Sequence, residues 1–284
     1  MQKKAIWLLF LLVSALPGRA QQAIKPVCPL GPEWHLAVSH SDEFEGNALD
    51  ETKWWDFNPS WVGRKPAFFD RANVKVDGGS LQLSARAQNP AEVTVENEAR
   101  GMDKFTTAIV KSKQRILYGY FEARSKSMKA GVCNAFWLYD PLDADKKYRE
   151  GDASEEIDIF ELFGKLPDQS QQRTYWATLH RYETPYVESV VNKKKTKLPD
   201  YSYRKQMPFD FYEDYHVYGF LWTSAELVWY VDGEEVFRRV NDYFHRPLHV
   251  VLDAEIMEDW MGLPDPKDLP AVFYTDYVRV WQKP

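Results

Sequence analysis

Residues 155–164 read Glu-Glu-Ile-Asp-Ile-Phe-Glu-Leu-Phe-Gly, four carboxylates set among isoleucine and phenylalanine. Carboxylates are costly to bury and repel one another at short range, so such a run needs a use. Paired carboxyl groups can do chemistry when one is ionised and attacks while the other is protonated and donates. The apolar fillers favour a strand, where positions 156, 158 and 160 share one face. Strict alternation would then bury Glu161 beside Ile157 and Ile159, at a high desolvation cost. A β-bulge at Ile159-Phe160 removes the conflict: one extra residue resets the alternation and turns Glu161 onto the face of Glu156 and Asp158. Two carboxyls about 5–5.5 Å apart are the geometry of a retaining glycosidase, and a third between them can hold a proton. The plainer readings are an exposed acidic strand face or a calcium site. Calcium loops carry Gly and Asn, not a strand of Ile and Phe.

The elements that must position these acids are strands. Val74–Leu83 is two alternating runs around Asp77-Gly78-Gly79, a hairpin signal, and Val228–Phe237 is a second, turning at Asp232-Gly233. Tyr118–Arg124, Tyr175–His180, Leu248–Ala254 and Thr275–Trp281 also read as strands, while helical periodicity is scarce beyond a short turn at Pro266–Leu269. Many short strands with turn signals predict an all-β sandwich or barrel in one domain. The loop Trp54–Phe69 carries Trp54, Trp55, Phe57, Trp61, Phe68 and Phe69, too apolar to be solvated throughout. Such a loop lines a binding surface where it is not core.

The chain of 284 residues is 15% aromatic, which suits strands and also clefts in which rings stack on sugar faces. Its net charge of −6 gives no general pull toward nucleic acid or anionic membrane. Lys3 and Lys4, the apolar run Ala5–Leu16, and small residues at Gly18 and Ala20 predict a signal peptide over 1–20, with a secreted or periplasmic mature chain. The run is short of the ~20 apolar residues that span a bilayer. An irregular lead-in over 21–35 precedes the domain at 36–284. Cys28 and Cys133 either pair or stay as separate thiols; two cysteines make neither a disulfide framework nor a zinc site.

Glu156-Ile-Asp-Ile-Phe-Glu161 resembles the signature of glycoside hydrolase family 16, in the bulged form of agarases, κ-carrageenases, porphyranases and laminarinases. The unbulged form belongs to lichenases and plant xyloglucan enzymes. Ser41–Phe44, Tyr118–Arg124, Ala135–Tyr139, Phe211–Gly219, Trp229–Gly233 and Asp276–Trp281 resemble further segments of the family in order, over roughly 41–281. The resemblance implies a jelly-roll β-sandwich of two curved antiparallel sheets with a cleft on the concave face. It implies Glu156 as nucleophile, Asp158 as assisting carboxylate and Glu161 as general acid, then base, in retaining endo-hydrolysis of a polysaccharide. No cofactor is expected for catalysis. A structural calcium on Glu43, the Gly79 backbone and Asp276 is implied on the convex side.

Trp137 is the expected stacking platform, His180 is expected near the acids, and Trp61 and Trp260 are loop platforms; for His180, Trp61 and Trp260 a structural role is the rival. Tyr139 and Asn134 are weaker candidates. Tyr243–Pro247 resembles κ-carrageenases, whereas Asp253-Ala-Glu255 with Trp260–Pro264, and the Trp61 loop, resemble agarases and porphyranases. The expected substrate is therefore a red-algal galactan cut at β-1,4 bonds. A sulfated one needs cations, and Arg64 and Arg246, with Lys65, Arg71 and Arg181, are placed to rim the cleft. The basic run Lys193–Lys197 either steers a polyanion or is a solvated loop. A β-1,3-glucanase, a transglycosylase and a catalytically silent sugar-binding protein are the alternatives. A monomer is expected.

Overall fold

The computed structural model describes residues 26–141, 152–183, 194–195 and 201–284. The predicted signal segment 1–20, the lead-in up to residue 25 and most of the basic run 193–197 lie outside these residues.

Two sheets stack face to face. The sheet that carries the acids runs Ser202–Gln206, Thr174–Glu183, Ala153–Phe163, Cys133–Asp140, Leu248–Glu255, Phe105–Ile116, Trp54–Trp55, antiparallel throughout. The other runs Val74–Asp77, Ser80–Ala87, Ala271–Gln282, Gly119–Lys126, His216–Trp222, Glu226–Val231, Glu234–Val240, again antiparallel. Among the described residues the one parallel pairing is the short strand Ala67–Phe69 on the start of Phe105–Ile116. This is the expected jelly roll, with the acid-bearing face turned away from the core.

The two hairpins form where the Gly-containing turns place them. Asp77 faces Ser80 across Gly78 and Gly79, both at positive φ. Val231 faces Glu234 across Asp232 and Gly233, at φ 50° and 82°. Those angles match the right-handed twist of the flanking strands.

The inner faces supply the core. Ile157, Ile159 and Phe160 of the acid strand meet Phe121, Tyr218, Phe220, Trp229 and Val278 from the opposite sheet, all fully buried. Each such side chain contributes about 1.5–3 kcal/mol on burial. The described part of the lead-in is not loose. Cys28 and Trp34 pack on Tyr120, Val228 and Trp281 at the outer face of the second sheet. Cys133 lies in a different cluster, with Phe163 and Leu166, so the two cysteines are separate buried thiols and no disulfide forms.

Candidate active site

The bulge is present where the burial conflict requires it. On one side of the acid strand Phe136 faces Phe160 and Trp137 faces Asp158, so Ile159 has no partner. Ile159 and Phe160 both turn inward and are fully buried, and the Phe160 ring lies 4.4 Å from that of Tyr218. Glu161 is thereby delivered to the concave face with Glu156 and Asp158. Cross-strand partners share a face. The facing residues are therefore Ala135, Trp137 and Tyr139 on one neighbour, and Trp176, Thr178 and His180 on the other.

The electrostatics separate the three acids. Asp158 is buried, and burial followed by the charges of Glu161 and Glu156 drives its proton affinity well above the carboxylate range. Glu161 is pushed up to about 7, by burial first and then by Glu255; the Thr178 hydroxyl, 3.3 Å from Oε2, and Arg64 pull it back. Glu156 keeps more contact with solvent than Asp158. His180 Nε2 lies 3.7 Å from Glu156 Oε1 and 3.5 Å from Asp158 Oδ2, and its ring stacks on Tyr182. The site thus offers a buried acid that retains its proton, one poised near neutrality and a more open carboxylate. Donor atoms of Glu156, Asp158 and His180 lie within 4.8 Å of one another, close enough to hold a cation. A proton on Asp158 relieves the same repulsion.

Two further acids stand on this face. Asp253 lies opposite Ala135, which in turn lies opposite Glu161, and Glu255 is the next outward residue beyond Asp253. Asp253 is fully buried, and Glu255 accepts from Arg64 Nε at 2.7 Å. In sequence they are Asp-Ala-Glu, an alternation like that of Glu156-Ile-Asp158. That spacing was the available signal for them.

The other expected site residues divide. Trp137 lines the concave face with Tyr139, ring centroids 5.5 Å apart. Trp61 reaches the same patch, edge-on to Phe69 at 4.9 Å and to Trp137 at 6.5 Å, with the Arg64 guanidinium 5.8 Å from its ring. Trp260 is partly exposed and edge-on to Trp176 at 4.8 Å. It lines a cleft of ≈ 660 Å³ with Arg64, Glu161, Thr178, His180 and Arg204.

Arg246 is not in the cleft. Its backbone N–H, with that of His245, donates to Glu155, and its side chain faces Asp140 at 3.6 Å. Asp140 and Glu155 are cross-strand partners one residue out of phase with Tyr139 and Glu156, so they occupy the opposite face. Arg181 shares that phase and rests on Tyr243. Arg71 pairs with Asp56. Asn134 turns inward and accepts from the Met128 backbone N–H.

The carboxylates expected to hold calcium are each paired with an arginine. Glu43 is gripped by Arg279 through two bonds, at 2.9 and 2.8 Å, and Asp276 is paired with Arg124. Gly79 sits in a hairpin turn. Calcium takes six to eight oxygens, and both carboxylates offered here are already neutralised by guanidinium groups.

Comparison with known proteins agrees with this geometry. Residues 34–283 match the family model described as "Beta-porphyranase A-D, GH16 domain". The chain is 30% identical over 297 residues to a kappa-carrageenase of Pseudoalteromonas carrageenovora, covering 96% of this chain and 70% of that protein. It is 31% identical over 267 residues to beta-porphyranase E of Zobellia galactanivorans, covering 88% of each. The crystal structure of a beta-porphyranase from the human gut bacterium Bacteroides plebeius superposes with a TM-score of 0.73 at 25% identity, over 88% of this chain and 91% of that one.

Proposed function

The chain belongs to glycoside hydrolase family 16, and from that membership we propose that it is an exported, retaining endo-hydrolase of a sulfated red-algal galactan. The observation that carries the reading is the bulge at Ile159-Phe160, which sets Glu161 on the face of Glu156 and Asp158.

In the first step the Glu156 carboxylate attacks the anomeric carbon while Glu161 gives its proton to the departing glycosidic oxygen. The bond to that oxygen breaks and a glycosyl ester forms on Glu156. Glu161, now a carboxylate, then takes a proton from water, which attacks the same carbon and frees Glu156. A Glu161 near pH 7 suits both halves, since it must donate and then accept. Asp158, protonated, donates to the nucleophile in the free enzyme and keeps the two like charges from both standing ionised. His180 steadies the Glu156–Asp158 pair from the next strand.

Substrate choice is supported by what lines the cleft. Trp61 and Trp260 offer partly exposed rings to sugar faces, with Trp137 buried behind Trp61, and Arg64, Lys65 and Arg204 bring positive charge to an acidic protein. The bond cut is β-1,4, and the relatives named as carrageenase and porphyranase favour sulfated galactans over agarose.

The test is reducing-sugar release from agarose, porphyran, κ-carrageenan, furcellaran, laminarin and mixed-linkage glucan, with Glu156→Gln alongside. Release from a sulfated galactan that disappears in the variant is expected, with the β anomer formed first by NMR. Release from a glucan alone would overturn the galactan reading and keep the mechanism. Binding without release would point to a silent sugar-binding protein. Longer products with added acceptor would point to transglycosylation.

A further inference from the structure

We propose that Glu255, in a second acid row with Asp253 and anchored by Arg64, is the negative charge that keeps the proton on Glu161. This rests on the reading of Glu161 as the general acid. It makes Glu255 a positioning residue, acting through Glu161.

The geometry is specific. Three strands lie side by side here, and Glu161, Ala135 and Asp253 occupy one line across them. The middle position is an alanine, so nothing longer than a methyl group separates the two carboxyls. Asp253 is 0% exposed, and neither of its oxygens has a hydrogen-bond partner. The Trp137 indole leans on it without closing a hydrogen bond. A fully buried carboxylate with no donor is expensive, so Asp253 is held as the neutral acid. Glu255 is buried too, and burial raises its proton affinity, while Arg64 Nε, donating to it at 2.7 Å, pulls it back. A bonded guanidinium favours the carboxylate form. The row therefore presents one neutral acid and one anchored negative charge to Glu161.

The other groups around Glu161 do not replace that charge. Its own strand brings Asp158, protonated, and Glu156 farther along. Strand Cys133–Asp140 brings Ala135 and the buried Cys133 thiol, which its surroundings keep protonated. Strand Thr174–Glu183 brings Trp176, the Thr178 hydroxyl and His180. The loop brings Arg64, whose charge is shared with Glu255. Glu255 is a negative neighbour that raises the proton affinity of Glu161. Removing it both deletes a negative neighbour and releases Arg64 toward Glu161; the two effects have the same sign.

The test does not depend on knowing the substrate. Protein labelled with ¹³C at Glu side-chain carboxyls is titrated by NMR, the Glu161 resonance being assigned by its loss in Glu161→Gln. In Glu255→Gln the Glu161 midpoint is expected to fall by about one pH unit, and in Asp253→Asn, which exchanges one neutral group for another, to stay in place. A midpoint unmoved in folded Glu255→Gln would overturn the proposal; should that variant fail to fold, Glu255→Ala is read instead and must move the midpoint the same way. On a cleaved galactan the same shift should appear in the alkaline limb of kcat/KM with KM nearly unchanged. A uniform loss at every pH would mark a structural role only. A wild type inactive on every galactan, with the NMR shift intact, would overturn the hydrolase reading and leave this one standing.

Discussion

Asp158 faces Thr178 across the sheet and Glu161 faces Trp176, so three steps along one strand are matched by two along its neighbour. That mismatch is what makes three carboxylates share a face. It is held in place from the core side, where Phe160 packs on Tyr218 and the Tyr175 hydroxyl donates to the Ile159 carbonyl. Phe160→Ala should therefore cost about 3–5 kcal/mol, as a large buried ring removed without collapse. Urea unfolding measures it. Activity should fall more than stability explains at temperatures where the variant is folded, because Glu161 loses its fixed position. A Phe160→Ala variant with full stability and activity would mean that the bulge is set elsewhere.

The pH dependence follows from Glu161. The free enzyme needs its proton for the first step, so kcat/KM should decline as pH rises through about 7. Glu161→Gln should lose about 10²–10⁴ in rate on a natural substrate. A wild-type profile flat from pH 6 to 9 would show that another group donates the proton.

A separate pH effect belongs to stability. Glu155, on the core side of the same strand, is pushed up to about 7 by burial, against the pull of two backbone N–H groups. Its pKa when unfolded is about 4.3. A carboxyl raised on folding binds more protons in the folded state, so its contribution to stability is complete at low pH and declines as pH rises from about 4.5 to about 7. Denaturant midpoints should fall across that window, and less steeply in Glu155→Gln, which keeps a neutral acceptor for the His245 and Arg246 N–H groups. Equal slopes in the two proteins would assign the fall to Asp158, Glu161 and Asp253 instead.

Much of this was legible in the residues. The hairpins at Asp77-Gly-Gly and Asp232-Gly are local, since glycine at positive φ decides them. The bulge was legible because an unbulged strand would bury Glu161. Asp253 and Glu255 showed in the sequence only as an Asp-Ala-Glu alternation, and their place beside Glu161 did not. Every residue from Leu248 to Glu255 is buried, so the strand shows no face of its own, and its register against Ala135 is a long-range fact. Arg246 was misplaced for a similar reason: its direction is set by Glu155 accepting its backbone N–H, which no local pattern encodes. Arg64 reached the cleft as expected, but its partner Glu255 lies 191 residues away.

The aromatic patch carries a binding prediction. Trp61 rests edge-on against Phe69 and Trp137 and beneath Arg64, on a loop rather than a sheet strand. Trp61→Ala should raise KM about tenfold, equivalent to ~1.4 kcal/mol of lost binding, with kcat nearly unchanged. A fall in kcat at constant KM would place the ring against the reacting sugar rather than a distal one.

The arginine pairs at Glu43 and Asp276 make a prediction about metal. A calcium bound at 100 times its Kd adds about 2.7 kcal/mol, which in a domain of this size is a rise of roughly 5–10 °C in Tm. Taking up the ion would require Glu43 to leave two bonds to Arg279 and Asp276 to leave Arg124. Protein dialysed against EDTA and protein in millimolar calcium should therefore melt within about 1 °C of each other. A rise of several degrees in the wild type would instead mean that the ion outcompetes both guanidinium groups, and that the arginine pairs belong to the metal-free protein alone.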